Sequence, residues 1–411
     1  MSVSPRIADS TTPASQATSQ TAAQLAPQPA SAADATVLFR TLNHIAFITL
    51  NRPAALNALD HAMIEQIAAR LEQCRHDDDI VAVVINSAIE KAFCAGGDVR
   101  ALLRPGSDGR ADIERYFNDE YRLDYAIHRF PKPVVVIMDA ITMGGGMGLA
   151  QGAALRIATE RSRIAMPETK IGMVPDVGAT HFLAAMPVEL ELYVGLTGVT
   201  LSGPDAVVCA LADVCVPHTN LSDVEQRLNN IDARALAGQR DALLAALREA
   251  YVRTEAGTDA SVIERQRGWI TEHFKREAAP TSIVASLGRT LEGLEDAEAT
   301  REEREWIEAT LTALKSYSPT MIHVTREALL RGREITLEDS FRLEMGIVVR
   351  TIEEGDFREG VRAHLIDKDR APKWKPDTLE AVTPEHVAHF LSSPWSSDAH
   401  PLANLGDDAQ R

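Results

Sequence analysis

The segment spanning residues 133–178 restricts the fold of this chain more than any other. It opens with a β-branched run, Val134–Met138, which indicates a buried strand, and continues into a glycine triplet at positions 144–146. The small and apolar residues at 147–154 then predict a tightly packed helix. Residues without Cβ let backbone N–H groups approach a ligand closely, and a helix N-terminus leaves such donors unpaired. A strand, a glycine turn and a helix start therefore predict a site for an oxyanion.

Two acidic residues follow the triplet in turns that are stiffened by proline. Glu168 comes directly after Pro167, and Asp176 comes directly after Pro175. A surface carboxylate at a turn is the simpler interpretation of each. Two acids close to candidate N–H donors instead indicate acyl chemistry, because such a reaction needs a base or nucleophile together with an oxyanion site.

A second glycine loop lies upstream, where Gly96 and Gly97 precede Asp98, the expected N-cap of a short helix. Taken alone, either loop is explained equally well by a tight turn without a ligand. Two loops that each follow a β-rich segment favour a binding crevice at the carboxyl ends of strands. A dinucleotide site does not fit, because its spacing from Gly144 would require glycine at Leu149 and no Gly-Lys-Ser/Thr motif follows either loop.

Charge and cysteine content limit the partners and the location. A net charge of −17 over 411 residues argues against nucleic acid or an anionic membrane as the partner, although a polyanionic small molecule could bind at a local basic spot. The four cysteines show neither a disulfide framework nor zinc spacing, which favours a reducing cytoplasm. No apolar run reaches the length needed to span a membrane.

Composition along the chain predicts four parts. Residues 1–35, rich in Ala, Ser, Thr, Gln and Pro, are expected to be a disordered N-terminal extension, with a mitochondrial presequence left open. Residues 36–220 alternate strand and helix patterns and form the expected catalytic core. Residues 221–392 have an almost wholly helical pattern, and residues 393–411 are polar and predict a flexible tail.

Glu120 lies in a predicted helix over residues 111–129, among aromatic residues of the same face. On the residues alone, a solvent-exposed helix glutamate is the simpler interpretation. The same holds for His128 and His181, for which the sequence offers no ligand partners. The pattern alone assigns no chemistry to these three side chains.

Three fragments are similar to those of a known family: FCAGGD (93–98), KPVVVIMDAITMGGGMGL (132–149) and MPETKIGMVPDVGAT (166–180). They resemble the crotonase, or enoyl-CoA hydratase/isomerase, superfamily. The resemblance implies an α/β fold, in which a crotonase-type spiral of β-β-α units is followed by an α-helical C-terminal region. It also implies that coenzyme A, as part of an acyl-CoA substrate, lies across the crevice between the glycine loops. Neither a separate cofactor nor a metal is expected.

The resemblance implies roles for individual residues. Gly97 and Gly145 are expected to supply the paired N–H groups that hold the thioester oxygen. Further substrate contacts are expected from four positions, Ala95, Asp98, Glu120 and Gly144. Members of this superfamily form trimers or paired trimers, so a homo-oligomer is also expected unless the added helices occupy that surface.

Two further fragments, residues 318–332 and 356–376, resemble the C-terminal helices of the hydroxyacyl-CoA hydrolases of this superfamily. Hydratases carry glutamate where this chain has Gly148, and they commonly carry glycine where it has Asp176. These differences imply a thioester hydrolase with Glu168 and Asp176 as its catalytic residues. Two alternatives stay open: an enoyl-CoA hydratase or isomerase acting through one carboxylate, and a non-catalytic scaffold that binds acyl-CoA or a protein partner.

Overall fold

The computed structural model describes most of the chain, namely residues 35–103, 109–254, 261–294 and 300–407. From Thr36 onward the chain forms one compact unit. The predicted N-terminal extension lies outside the described residues, except for Ala35. Within the described ranges, no helix is long and apolar enough to cross a membrane.

Two β-sheets form the core. The strands are β1 (Val37–Leu42), β2 (Ile45–Leu50), β3 (Ala82–Ser87), β4 (Ala92–Cys94), β5 (Val134–Met138), β6 (Ile141–Met143), β7 (Leu155–Thr159), β8 (Arg163–Ala165) and β9 (Val214–Val216). The larger sheet has the order β1-β2-β3-β5-β7-β9, and the smaller sheet has the order β4-β6-β8. β1 and β2 are antiparallel, whereas the other pairs are parallel. All five residues of β5 are apolar and buried, as expected for a parallel strand that is covered on both faces.

Helices connect the strands and continue after them. They are α1 (His61–His76), α2 (Val99–Leu102), α3 (Arg110–His128), α4 (Gly145–Gln151), α5 (Ala179–Phe182), α6 (Val188–Thr197), α7 (Gly203–Val208), α8 (Val224–Asn229), α9 (Arg240–Tyr251), α10 (Val262–His273), α11 (Pro280–Gly293), α12 (Arg301–Ser316), α13 (Pro319–Gly332), α14 (Leu337–Glu354), α15 (Phe357–Val361) and α16 (Pro384–Phe390). The described elements after β9 are all helical. The predicted division of the chain at residue 220 stays a prediction.

The chain winds as a spiral, because consecutive strands alternate between the two sheets. β3, β5 and β7 lie in the larger sheet, and each is followed by a strand of the smaller sheet, namely β4, β6 or β8. Helices α2 and α3 follow β4, and α4 follows β6. The predicted α/β spiral of β-β-α units is therefore confirmed, and it brings the loops after β4, β6 and β8 to one side of the small sheet.

Helix α4 begins two residues earlier than its apolar pattern predicts. The prediction placed it at residues 147–154, whereas it spans Gly145–Gln151. Gly144 is the N-cap and has a φ of +48°, a value that glycine adopts without the cost imposed by a Cβ atom. The glycine triplet thus contains the start of the helix as well as the turn before it.

Helices cover both faces of the larger sheet. On one face, Leu228 of α8 and Leu247 and Tyr251 of α9 pack with Phe47 and Val84 of the sheet. The opposite face belongs to the main core, in which α14 packs against α3 and α5. Helix α14 therefore reaches the part of the molecule in which the loops after β4, β6 and β8 meet.

Two leucines of the C-terminal segment pack on the main core. Leu402 and Leu405 are buried there. Arg342 of α14 donates hydrogen bonds to the carbonyl oxygens of Leu402 and Leu405, at 3.0 and 2.7 Å. These contacts anchor an otherwise polar stretch, and the predicted tail over residues 393–411 stays a prediction. Residues 408–411 lie outside the described part.

Candidate active site

One cavity of about 1160 Å³ brings the predicted site residues together. Its wall includes all eight of them: Ala95, Gly97, Asp98, Glu120, Gly144, Gly145, Glu168 and Asp176. These residues come from the loops after β4, β6 and β8 and from helix α3. The spiral of strands thus assembles residues that are more than eighty positions apart in the sequence.

The loop after β4 is fixed by its own backbone and by one ion pair. Leu59 N–H donates to Gly96 O at 2.8 Å, and Asp98 N–H donates to Leu59 O at 2.7 Å. The Asp98 carboxylate accepts from Ala101 N–H at 3.2 Å and pairs with Arg52 at 2.8 Å. Asp98 therefore lines the cavity, but its carboxylate oxygens bind the loop and the start of α2.

The two glycine loops lie side by side. A methyl group placed on Gly145 would lie 3.5 Å from Gly97 N, and one placed on Gly144 would lie 3.1 Å from Glu168 Oε1. Neither Gly97 N–H nor Gly145 N–H donates a hydrogen bond to another described residue. Two backbone donors without a partner among the described residues thus lie close to each other and beside a carboxylate.

Glu168 lies in a short 3-10 turn, Glu168–Ile171, and its side chain is 6% exposed. Its Oε2 atom has no hydrogen-bond partner among the described residues. Burial raises the pKa of Glu168 well above its ordinary value, and the nearby charge of Asp176 raises it further. A carboxyl group with a free oxygen and a raised pKa can accept a proton readily.

Asp176 is buried and is held by Tyr121 of α3. The Tyr121 hydroxyl donates to Asp176 Oδ2 at 2.6 Å. Burial raises the pKa of Asp176 to about 7, although the hydrogen bond from Tyr121 acts in the opposite direction. Glu168 and Asp176 therefore share one pocket in which simultaneous ionisation is unfavourable.

Glu344 of α14 fixes the turn that carries Asp176. It accepts hydrogen bonds from Gly178 N–H at 2.7 Å, from Thr180 N–H at 2.8 Å and from the Thr180 hydroxyl at 2.6 Å. Burial raises the pKa of Glu344 to about 8, against the effect of these donors. Sequence reasoning missed Glu344, which is one of many glutamates on charged helices. It also missed the contact of Tyr121 with Asp176, although Tyr121 belongs to the predicted aromatic face of α3.

Glu120 is buried at the cavity wall, so the interpretation as a solvent-exposed helix glutamate is wrong. Its side chain is 2% exposed, and Oε1 has no partner among the described residues. A methyl group placed on Gly145 would lie 2.4 Å from this oxygen. Burial raises the pKa of Glu120 well above its ordinary value, and Asp176 adds to the effect. The helix pattern could not show this burial, because α3 is covered by α14 and α4.

Basic side chains lie along part of the same cavity. Arg100 of α2 and Lys170 of the 3-10 turn are exposed lining residues. His364 and Arg370 add to them from the π-helical turn Arg362–Ile366 and the loop after it. On a chain of net charge −17 this is a local basic region. Among the described residues no group of His, Cys, Asp and Glu has the arrangement of a metal site.

Fold and cavity together define an enzyme of the crotonase superfamily. Over residues 45–391 the chain matches the enoyl-CoA hydratase/isomerase family. The chain belongs to this family.

Proteins with different names are similar to this chain over most of its length. It is 36% identical over 369 residues to "3-hydroxyisobutyryl-CoA hydrolase, mitochondrial" of Gallus gallus, with 90% of this chain and 91% of the relative covered. It is 35% identical over 356 residues to the small ribosomal subunit protein mS47 of Neurospora crassa, with 85% and 69% covered. The solved structure of a carnitinyl-CoA dehydratase from Mycobacterium thermoresistibile has a TM-score of 0.74 at 35% identity, with 87% of this chain and 96% of that chain covered.

Proposed function

We propose that this enzyme hydrolyses the thioester of 3-hydroxyisobutyryl-CoA to 3-hydroxyisobutyrate and coenzyme A, a step of valine breakdown. The observation that carries the proposal is the buried pair of Glu168 and Asp176 beside two unpaired backbone donors in one cavity. The similarity to the Gallus gallus hydrolase over 90% of the chain supports the choice of substrate.

The basic residues of the cavity suit the phosphates of an acyl-CoA. Coenzyme A carries several negative charges, whereas the protein as a whole repels anions. Arg100, Lys170 and Arg370 offer three cationic groups near the opening, and the apolar lining accommodates the chain between phosphates and thioester. The acyl group then lies at the glycine loops.

In the proposed reaction, Gly97 N–H and Gly145 N–H hold the thioester oxygen as negative charge develops on it. Such preorganised donors stabilise the transition state because no reorganisation is needed when the charge appears, and one donor contributes about 2.7–4 kcal/mol in comparable sites. Backbone donors of this kind cannot be removed by substituting a side chain. Their contribution depends on the positions of the two loops.

Glu168 attacks the carbonyl carbon directly, through an anhydride, or deprotonates the attacking water. Asp176 accepts a hydrogen bond from the 3-hydroxyl of the substrate. Burial raises the pKa of both carboxyls, and the charge of Asp176 raises that of Glu168 further, so ionisation of both groups at once is disfavoured.

Thiol release by Glu168→Gln tests the proposed chemistry. The wild type is expected to release coenzyme A from 3-hydroxyisobutyryl-CoA, and the variant is expected to lose activity by about 10²- to 10⁴-fold, the usual contribution of a positioned acid or base. Binding of the substrate, measured by calorimetry, should change little. Equal turnover by both proteins would contradict a catalytic role for Glu168.

A hydratase is the second candidate, because the dehydratase structure at 35% identity shares this fold. It predicts hydration of crotonyl-CoA, followed by ultraviolet absorbance, without release of free thiol. A scaffold without activity is the third candidate, because a ribosomal protein is among the relatives. It predicts that wild-type protein binds acyl-CoA or a protein partner with no turnover of either thioester.

We also propose a cytoplasmic location, on the basis of the cysteine content. The four cysteines are free and buried. The name of the Gallus gallus relative says that it is mitochondrial, so import is the alternative to be tested. A fluorescent protein fused to the C-terminus distinguishes the two locations, and mass spectrometry of the purified chain shows whether residues 1–35 are removed.

A further inference from the structure

Three titratable residues lie on one face of α3, one turn apart from each other. They are Glu120, Asp124 and His128. Residues at i and i+4 of a helix are neighbours, with Cβ atoms about 5–6 Å apart. Glu120 lines the cavity, so the row starts at the proposed site of reaction and leads away from it.

Three glycines face this row. A methyl group on Gly145 would lie 2.4 Å from Glu120 Oε1, and one on Gly148 would lie 2.4 Å from Asp124 Oδ2. A methyl group on Gly152 would lie 2.9 Å from His128 Cγ. Side chains at 145, 148 and 152 would fill the space that the three titratable groups occupy. The glycines of α4 and its C-cap thus form a groove that accommodates the row.

All three side chains carry buried polar atoms without a partner among the described residues. The atoms are Glu120 Oε1, both carboxylate oxygens of Asp124, and His128 Nε2. Asp124 is 0% exposed, and leaving such a buried polar group unpaired is unfavourable. Three groups with unpaired buried atoms on one helix face therefore need an explanation.

The far end of the row reaches the surface. The ring of His128 lies 6.4 Å, between centroids, from the ring of His181 at the start of α5. His181 is an exposed residue. The row therefore runs from the cavity wall at Glu120 to a histidine that lies near an exposed residue.

The proposed reaction produces a proton in the cavity. Water breaks the C–S bond and forms a C–O bond; one proton of the water goes to the thiolate of coenzyme A, and the other leaves the carboxylic acid, which ionises at neutral pH. One proton must therefore leave the site in each turnover. While acyl-CoA fills the opening of the cavity, a route through the protein provides an exit.

We propose that Glu120, Asp124 and His128 form a proton path between the acyl site and the surface at His181. The purpose of such a path rests on the proposed thioester hydrolysis. The arrangement of the three residues does not depend on that proposal. Glu120 exchanges a proton with the site, Asp124 passes it along the groove, and His128 passes it to solvent near His181.

The acid–base properties of the row suit this transfer. Burial, and after it the charges of Glu120, Asp176 and Glu344, raise the pKa of Asp124 well above its ordinary value. Burial lowers the pKa of His128 to about 4, and the neighbouring His181, Arg129 and Arg156 act in the same direction. At neutral pH these directions leave Asp124 as a protonated donor and His128 as an unprotonated acceptor. No direct hydrogen bond joins the two side chains, so a proton passes between them only through a bridging water molecule.

Asp124→Asn tests the path, because asparagine keeps the shape of the side chain but cannot take up and release a proton as a carboxyl group does. The variant is expected to lose about tenfold or more in kcat, within the range of proton-transfer effects, with KM nearly unchanged. Imidazole or formate added at constant pH and ionic strength should restore part of the rate. His128→Gln should behave in the same way, and the double variant should be no slower than the slower single variant, because the two residues act in series.

Glu191→Gln is the matched control, since Glu191 is also fully buried with one unpaired oxygen but lies on α6 beside Arg333. It should change the free energy of unfolding without any response of kcat to buffer. An Asp124→Asn variant with wild-type kcat, or with a lowered kcat that buffer does not change, would overturn the path.

A readout without substrate separates this inference from the proposed function. Infrared spectroscopy follows the exchange of deuterium into the protonated carboxyl groups of the resting protein. The path predicts slower exchange of the Asp124 carboxyl in His128→Leu than in the wild type, even if no thioester is hydrolysed. Unchanged exchange would overturn the path, whereas absence of thiol release by the wild type would overturn only the proposed function.

Discussion

Tyr121 controls the charge on Asp176. Its hydroxyl donates to Asp176 Oδ2 at 2.6 Å, and this hydrogen bond favours the ionised carboxylate. Burial acts in the other direction and is the larger influence. The ionisation of Asp176 thus depends on a side chain of a different element, helix α3.

Tyr121→Phe is expected to move the acidic limb of the kcat/KM profile to higher pH. Without the hydroxyl, the pKa of Asp176 rises above its value of about 7, so a higher pH is needed to ionise it. Rates of thiol release between pH 5.5 and 9 measure the shift. Tyr125→Phe is the control, because the Tyr125 hydroxyl donates to Glu338 and not to Asp176. An acidic limb that is identical in wild type and Tyr121→Phe would contradict this role of Tyr121.

Residues within continuous motifs could be predicted, whereas their partners could not. Gly97, Gly145, Glu168 and Asp176 occur in short fragments with glycine or proline neighbours, and all four line one cavity. Asp124 has no such local signal. Its importance comes from burial against Gly148, and the hydrophobic pattern of a helix does not show which polar residue its neighbours will cover.

Among the elements, α14 links the helical region to the catalytic loops. Glu344 accepts three hydrogen bonds from the turn at Gly178 and Thr180. The helix itself was predictable from its pattern, but its packing on α3 and α5 was not. Local periodicity does not reveal a contact between residues that are 164 positions apart in the sequence. The same limit applies to the segment after residue 393, in which two leucines determine the packing.

Glu344→Gln is expected to reduce the preference for 3-hydroxyisobutyryl-CoA over isobutyryl-CoA. Above a pH of about 8 the ionised Glu344 accepts through both oxygens, whereas the NH₂ group of the amide would face a backbone N–H at every pH and leave a buried donor unpaired, at a cost of about 1–3 kcal/mol. The Asp176 turn would then be less well fixed. The ratio of kcat/KM for 3-hydroxyisobutyryl-CoA and isobutyryl-CoA measures the effect. Glu338→Gln, on the same helix but bonded to Tyr125 and Arg129, should leave the ratio unchanged. A loss that is equal for both substrates would show a purely structural role.

In the molecule as a whole, five acidic side chains with raised pKa values lie in the interior, at or near the cavity. Glu120, Asp124, Glu168, Asp176 and Glu344 are all buried, and burial raises the pKa of each. Groups of this kind favour unfolding when they must ionise, since water solvates the charge better than the core does. The molecule retains them near the cavity despite this cost.

Stability is therefore expected to fall as pH rises from about 6.5 to 8. Glu344 has a folded pKa of about 8, above its ordinary value, so the folded state holds a proton that the unfolded state has released, and rising pH favours unfolding. Each such group lowers the free energy of unfolding by about 1.4 kcal/mol per pH unit within its window. Histidines with lowered pKa values contribute little above pH 6.5.

Urea unfolding at pH 6.5, 7, 7.5 and 8 measures this slope. Glu344→Gln should give a flatter dependence, because it removes one of the groups with a raised pKa. A free energy of unfolding that is constant or rises over this range would contradict the buried, protonated state of these acids.

Thiol release from 3-hydroxyisobutyryl-CoA and isobutyryl-CoA, by the wild type and by Asp176→Ala, tests the proposed hydrolysis most directly. We expect the wild type to release thiol rapidly from the hydroxylated thioester and slowly from isobutyryl-CoA. The ratio of the two rates should be near one for the variant, because an unpaired buried carboxylate no longer penalises the plain acyl group. Equal rates for both substrates with the wild type, or hydration of crotonyl-CoA without thiol release, would contradict it.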